Sequence, residues 1–427
     1  MKSNLTLKVT NLGPIEEADM TINQINVIGG VNGSGKSTLS KLLYCYISAN
    51  TLEGDYIVNN QVKLLFDDFI NFWSRNIENE NNLHNYIIFK SLLDDWNNDE
   101  SSYDYFIKKY DDVKEYILNS KLKNNTQCTD NLENIGSVIK SYKNRELKYY
   151  QVVNFLLSTE YDLFQLKNYS NAHVEFNGEY DGKTFNLSTN FRENSATSNF
   201  EGYSDCITYR QMIYIDSPSV LDLYNNNHSY HYNFLYNSVT NTSNNLADSI
   251  YHRKQIEFSD EIKDLLNGEF IYDSEKGKFL FIPENGTEIE MKNTASGFKQ
   301  MGIIQLLLST KTLTQNCFLI IDEPEINLHQ EMQVKFAYLL VKMSKELNVT
   351  LYINSHSPLF IEAMEVYISK YDLENETSFY LTQKNDNNKY VFEEIPLQKL
   401  HRIYDNIGNP YEVINKVRYE NLQKKNL

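Results

Sequence analysis

Cysteine is scarce and scattered. Cys45, Cys128, Cys206 and Cys317 form no CxxC pair, which argues against a structural zinc site and for a reducing compartment. Long apolar runs are missing too. Nothing approaches 18 consecutive apolar residues, and the opening MKSNLTLKVT lacks the apolar core of a secretory signal. The expectation is a soluble, cytoplasmic chain that spans no membrane. Proline is absent between Pro14 and Pro218, and glycine between Gly54 and Gly136, so helices can run unbroken there. Positive charge is in deficit, with 40 Lys and Arg against 57 Asp and Glu for a net −17. That balance weakens a reading as a nonspecific duplex binder, which needs a basic surface, though a local basic groove stays open. No sustained heptad and no internal repeat are present. At 427 residues the chain can bury a large core without disulfide or metal staples.

Strand signals cluster at residues 4–10 and 15–28, at Ala172 to Phe191 around Asn177-Gly178 and Asp181-Gly182, and at Glu269 to Met291. A further strand is expected from Tyr209 to Ile215. Lys121 to Asp130 reads as polar loop inside a helical stretch. After Thr294 the chain alternates helix and apolar strand, the pattern of a parallel sheet with crossovers. Later strands are expected at Phe379 to Thr382 and Tyr390 to Glu394, with a closing helix near Tyr411 to Asn421.

Four of the 16 glycines, Gly29, Gly30, Gly33 and Gly35, crowd into one short segment. Gly30-Val-Asn32-Gly33-Ser34-Gly35-Lys36-Ser37, followed by Thr38, matches the phosphate-loop pattern G-x4-G-K-S/T. Ahead of it runs the apolar strand Ile25 to Ile28. Behind it Leu39, Leu42, Leu43, Tyr46 and Ile47 share one helix face. Glycines let the backbone curl so that N–H groups point at phosphate oxygens, and the helix N-terminus adds the positive end of its dipole. Lys36 is placed to reach the β- and γ-phosphates of ATP and Ser37 to ligate Mg2+.

Cys317 to Ile321 is an apolar run that ends at Asp322-Glu323-Pro324-Glu325. A carboxylate at the C-terminal end of a buried strand supplies the second anionic support for Mg2+, and Glu323, pointing elsewhere, can act on the attacking water as general base. Most of the chain separates Lys36 from Asp322, so something large is inserted between the two halves. Asn293-Thr294-Ala295-Ser296-Gly297 opens an apolar helix before the acidic strand, and Leu351 to Ser355 is a strand that runs into His356 beyond it.

With these elements in order, the sequence resembles the ABC-type ATPases of the SMC, RecF and OLD-like group, within the AAA family ATPases. The likeness covers residues 1–50 and about 268–366 and is weaker at 170–216. The segments that carry it are NTASGFKQMGIIQLLL as signature, FLIIDEPEINLHQ as Walker B with D-loop, and YINSHSPLF as the switch histidine. The resemblance implies an α/β fold, a P-loop ATPase with a mixed β sheet plus a parallel core sheet and helical insertions. It implies that Gly30, Asn32, Gly33, Ser34, Gly35, Lys36, Ser37 and Thr38 bind ATP, that Ser37 and Asp322 hold Mg2+, that Glu323 activates water and that His356 senses the γ-phosphate. Ser296 and Gly297 are implied to contact ATP bound to the other copy, and Glu325 to His329 to cross that interface, making a homodimer or higher homo-oligomer around an ATP sandwich. The expected division is 1–54 as the N-terminal ATPase part, 55–165 as a helical insertion, 166–217 as its β part, 218–266 as a second mainly helical insertion and 267–427 as the C-terminal part.

The signature is Ala-Ser-Gly-Phe rather than the LSGGQ of transporters, and DEPE stands where transporters carry DEPT or DEPS. Gln211 is a weak candidate for the Q-loop glutamine. The residues after His356 leave no room for the Toprim nuclease domain of OLD proteins, and Asp386 has no acidic mate. His228 and His231 form an x-x-spaced pair without acidic or thiolate company at hand, a poor metal site. By analogy the chain resembles the ATPase subunits of prokaryotic anti-phage systems such as PARIS, Septu and retron-associated types, which control a separate nuclease or toxin. Two alternatives stay open. One is a RecF-like or SMC-like clamp acting on DNA, using basic clusters such as Lys108-Lys109, Lys121 with Lys123, or Lys140 to Arg145. The other is a nucleotide-gated scaffold with little turnover.

Overall fold

In the computed structural model of the chain, the described residues are 4–51, 126–160, 172–192, 195–218, 230–240 and 249–408, with a few single positions besides. They divide between two compact units, Met1–Thr51 with Asn154–Leu427, and Leu52–Val153.

In the larger unit, alternating apolar residues build β1 (Asn4–Thr10) and β2 (Ile15–Ile22), which pair antiparallel with Leu7 opposite Met20. Asn11 and Gly13 take φ of 55° and 60° in the turn between them, where an Asn and a Gly tolerate the left-handed region. The expected strand over 15–28 is broken at Asn23-Gln24, so β3 (Ile25–Gly29) is separate and is buried at every position. After α1 (Lys36–Ser48), the chain returns with β4 (Ala172–Tyr180), β5 (Lys183–Arg192) and β6 (Ser195–Gly202). Asp181-Gly182 makes the β4–β5 turn, whereas Asn177-Gly178 lies inside β4, where Gly178 lets Phe185 and Leu5 close over the backbone. Cross-strand packing wins over the turn propensity of that dipeptide.

Then come β7 (Gln211–Ile215), α4 (Tyr230–Thr240) and α5 (Ser249–Leu266), numbered after two helices of the other unit. A three-stranded antiparallel sheet of β8 (Gly268–Asp273), β9 (Lys278–Pro283) and β10 (Ile289–Glu290) follows. It is pinned to α6 (Ser296–Ser309), where Phe270 covers Gly302 and the Phe270 N–H donates to Gln305 Oε1 at 2.8 Å. The chain continues through β11 (Cys317–Asp322), α7 (Gln330–Leu347), β12 (Thr350–Ser355), α8 (Pro358–Lys370), β13 (Thr377–Lys384), β14 (Tyr390–Glu394) and α9 (His401–Gly408).

Among the described residues the main sheet has eleven strands in the order β6-β5-β4-β1-β2-β14-β13-β3-β12-β11-β7. From β13 to β7 neighbouring strands are parallel, and from β6 to β2 they are antiparallel. This is the mixed α/β architecture expected. Strands β3, β11 and β12 are buried along their whole length, as a parallel sheet covered on both faces requires. Helix α1 lies against β7, β11 and β12.

The Leu52–Val153 unit holds α2 (Thr126–Lys143) and most of α3 (Arg145–Glu160). Residues 126–130 are helical, not the polar loop expected, as the opening of a longer helix that runs to Lys143. Of the expected closing helix near 411–421 only Val417 and Arg418 are described, both helical, and His228, Lys109, Lys121 and Lys123 lie outside the described residues. No described helix is long and apolar enough to cross a membrane.

Candidate functional site

Strand β3 delivers the chain to the phosphate loop, with β12 beside it and β11 next beyond β12. Their parallel register sets Gly29 beside Ser355, and Asn354 beside both Ile28 and Asp322. Three C-terminal strand ends therefore open at one edge, where ligands of parallel α/β sheets bind.

The loop folds as its glycines require. Gly33 and Gly35 take φ of 77° and 98°, and Gly35 is the residue from which α1 starts. Gly30 lies so close to Thr382 of β13 that a Cβ would overlap its Oγ1. Val31, Asn32, Gly33 and Ser37 are exposed, Thr38 is half-buried, and Ser34 is buried with its Oγ unpartnered. The Lys36 ammonium curls back to donate to the carbonyls of Gly30 at 2.8 Å and Val31 at 3.0 Å. Burial pulls the Lys36 pKa down, against the opposing charges of Glu323, Asp322 and Glu325.

Asp322 ends β11, 4% exposed. Its Oδ1 accepts from Ser40 Oγ at 2.9 Å and Asn354 Nδ2 at 2.6 Å, and its Oδ2 from Tyr214 OH at 2.9 Å. Burial pushes its pKa up, and hydrogen bonds from Ser37, Ser40, Tyr214 and Asn354 work against that. Ser37 and Asp322 are thus brought together. Among the described residues no group of three or more His, Cys, Asp or Glu could hold a metal alone. A Ser hydroxyl beside one carboxylate fits Mg2+, which takes few protein ligands and completes its shell with phosphate oxygens and water.

Glu323 adopts φ of 51°, held there by its N–H donating to the Asn354 carbonyl at 2.8 Å. A non-glycine residue in this region next to Asp322 is local strain of the kind found at functional sites. His356 Nδ1 lies 3.5 Å from Glu323 Oε1 and 3.2 Å from Glu325 Oε1. A groove of about 610 Å3 runs from Asn32 past Glu323 and His356 to Gln333.

Two expectations are corrected. Glu325 is not on an outward loop but buried, its Oε1 accepting from Ser355 Oγ, His356 N and Ser357 N at 2.8, 2.8 and 3.1 Å. Burial raises its pKa. Asn327 and His329 of the same segment do face outward. Gln211 opens β7 beside Cys317, at the opposite strand end from Asp322, and its Oε1 accepts from Thr314 Oγ1 at 3.4 Å. It is a framework residue.

Ser296, half-buried, begins α6, and Gly297 presses against the Asn327 carbonyl where a Cβ would not fit. Gln300, one turn on, donates to the Asp322 carbonyl at 3.2 Å. The signature helix is thereby seated on the loop that carries Glu323.

Sequence reading missed Tyr214, Ser40, Asn354 and Gln333. Gln333 accepts from Ser357 Oγ at 2.8 Å and donates to the Leu328 carbonyl at 3.0 Å, joining two site loops. Asn354-Ser355 closing an otherwise apolar strand was a readable signal, and so was Ser40, one turn after Ser37.

The fold and this edge define a P-loop α/β ATPase domain. The sequence model of the AAA ATPase domain matches residues 1–361, and the chain belongs to that family. Among solved structures it is similar to the SMC head domain from Thermotoga maritima at 10% identity, over 92% of this chain and 99% of that one, with a TM-score of 0.40. An SMC head bound to the C-winged helix domain of ScpA follows at 8% identity, over 93% and 98%, with a TM-score of 0.43. An SMC head with an extended coiled coil, bound to the C-terminal domain of ScpA derived from Pyrococcus furiosus, gives 10%, 95%, 100% and 0.36. No curated protein sequence matches the chain.

Proposed function

We propose that this chain is an ATP-hydrolysing switch that closes as a homodimer or higher homo-oligomer around ATP and controls a separate effector, a nuclease or toxin, in a prokaryotic antiviral system. The observation that carries the nucleotide part is the meeting of Lys36, Ser37, Asp322, Glu323 and His356 at one edge of three adjacent parallel strands.

On this reading Gly30, Asn32, Gly33, Ser34, Gly35 and Thr38 line the phosphate cradle, and Lys36 leaves its loop carbonyls for the β- and γ-phosphates. Ser37 and Asp322 would hold Mg2+, which when bound neutralises charge on the phosphate oxygens. Glu323 takes the proton of the attacking water, and His356, beside it, orients toward the γ-phosphate. Ser296 and Gly297 serve the site of the partner copy. Because α6 rests on the loop of Glu323, dimer closure and the catalytic loop share one mechanical path. Support for effector control is the resemblance to defence ATPase subunits.

The test compares wild type, Lys36→Ala and Glu323→Gln for ATP binding, turnover and mass in solution with Mg2+. Lys36→Ala loses binding. Glu323→Gln keeps binding and an ATP-dependent dimer, while turnover falls by roughly 10²–10⁴, the span general-base loss produces. Full turnover in Glu323→Gln, or no change of mass with ATP, overturns the site assignment. Co-expression with the protein encoded beside this chain checks the effector part, which predicts a complex whose stability follows the nucleotide state.

A further inference from the structure

A second buried ionisable cluster lies beside the phosphate site. His231, near the start of α4, places its Nδ1 2.6 Å from Glu160 Oε2 and its Nε2 3.4 Å from Asp216 Oδ2. Its backbone N–H donates to Glu160 Oε1 at 3.2 Å. The side chains of His231 and Glu160 are 5% and 1% exposed. Burial pulls the imidazole pKa down, but Asp216 and Glu160 outweigh it and push the value up to about 9. Asp216, whose side chain is 37% exposed, is held below the usual carboxylate range by His231 and Lys41, against the opposing pull of desolvation.

The three partners come from separate parts of the sequence. Glu160 ends α3, Asp216 follows β7, and His231 lies in α4. Glu160 lies just before the end of the first expected insertion, 55–165, and Asp216 just before the start of the second, 218–266. The imidazole is also one ring of three. Its centroid is 4.9 Å from Tyr214 and 5.6 Å from Tyr44, and the two tyrosines are 6.1 Å apart. Tyr44 belongs to the phosphate-loop helix α1. Tyr214 donates its hydroxyl to Asp322 Oδ2. A buried ion cluster adds little net stability compared with apolar packing, and its better-attested use is to fix one arrangement.

We propose that Tyr214 is a positioning residue for Asp322 and that His231, clamped between Glu160 and Asp216, fixes Tyr214, so that the roots of both insertions set the carboxylate that supports Mg2+. The inference rests on the reading of Asp322 as a Mg2+ support. Ser40 and Asn354 hold Oδ1 from α1 and β12, whereas Tyr214 holds Oδ2 from β7. Loss of the phenol hydroxyl frees the carboxylate to turn, and a shift of the insertion roots acts on the same atom through the contact of the His231 and Tyr214 rings.

The experiment titrates Mg2+ against ATP turnover and against binding of a slowly hydrolysed ATP analogue, in full-length wild type, Tyr214→Phe, His231→Gln and Glu160→Gln. Tyr214→Phe keeps the ring, and thermal melting checks that it folds. The expected result is a Mg2+ half-saturation raised roughly tenfold in Tyr214→Phe, the size of losing a hydrogen bond to a charged group. Mg2+-free nucleotide binding stays at the wild-type level. His231→Gln and Glu160→Gln shift half-saturation the same way by less. If Tyr214→Phe melts lower or turns over more slowly with the wild-type Mg2+ half-saturation, its role is structural and the proposal fails. If wild type binds and turns over nucleotide without needing Mg2+, it is the reading of Asp322 that fails.

Discussion

The Glu325 carboxylate accepts the backbone N–H of His356 at 2.8 Å, bridging 31 residues of sequence. The same oxygen takes Ser355 Oγ and Ser357 N, so the loop after β11 holds the loop after β12 by three donors at one atom. Gln333 ties the same two loops through Ser357 and Leu328. Glu323, the proposed general base, and the histidine beside it therefore sit on two loops joined by one shared brace.

Removing that brace separates folding from geometry. Glu325→Ala takes the acceptor from the Ser355 hydroxyl and the His356 N–H, while the Ser357 N–H keeps Ser355 Oγ at 3.1 Å, and destabilisation by roughly 3–5 kcal/mol is expected from the loss of such a buried carboxylate. Turnover falls with it as His356 loses its anchor. Glu325→Gln keeps an acceptor oxygen and is expected to lose less than half as much in denaturant unfolding. Equal damage in both variants would show that charge, not the acceptor, does the holding.

Two glycines of the phosphate loop are expected to respond differently. In Gly30→Ala the new methyl meets Thr382, buried in the neighbouring strand, and overpacking of this kind is worth about 1–3 kcal/mol. The loop shifts, and nucleotide binding weakens with stability. Gly33→Ala meets nothing within 4 Å, and only its φ of 77° is unfavourable. That strain is about 1 kcal/mol. Unfolding midpoints of the two variants decide it, and Gly30→Ala with Thr382→Gly should recover part of the loss. A Gly33→Ala as unstable as Gly30→Ala would point to a different loop conformation.

What could be read in advance was whatever lies in one short window. The phosphate loop, the strand ending at Asp322 and the strand ending before His356 each announce themselves by local pattern, and the sheet sets them side by side. That Ser40, Tyr214 and Asn354 converge on Asp322 was not legible, although Ser40 and Asn354 each carried a local signal, because the three meet only through the placing of β7, β11, β12 and α1. Glu325 was misplaced for a related reason. An acidic residue after a strand reads as surface loop unless donors from a distant strand end are known to converge on it. The dipeptide Asn177-Gly178 misled similarly, since its turn propensity yields to pairing of β4 with β1 and β5.

The His231 cluster gives a signed pH dependence. An imidazolium raised to about 9 in the folded chain, from 6.5 unperturbed, contributes stability fully at pH below the unperturbed value. That contribution is lost as pH climbs through about 9. The groups facing the ring are Glu160, Asp216, Tyr44 and Tyr214, with Lys41 near Asp216. Asp216 acts in the opposite window, since its lowered pKa gives stability that fades only on acidification below the usual carboxylate range. Between about pH 6 and about pH 10 the His231 contribution should fall by on the order of 3 kcal/mol, so wild-type stability drops more steeply there than that of His231→Gln. Denaturant unfolding of both proteins across this range measures the difference. Parallel curves would mean that the histidine does not change its charge on unfolding and that the clamp is held by packing alone.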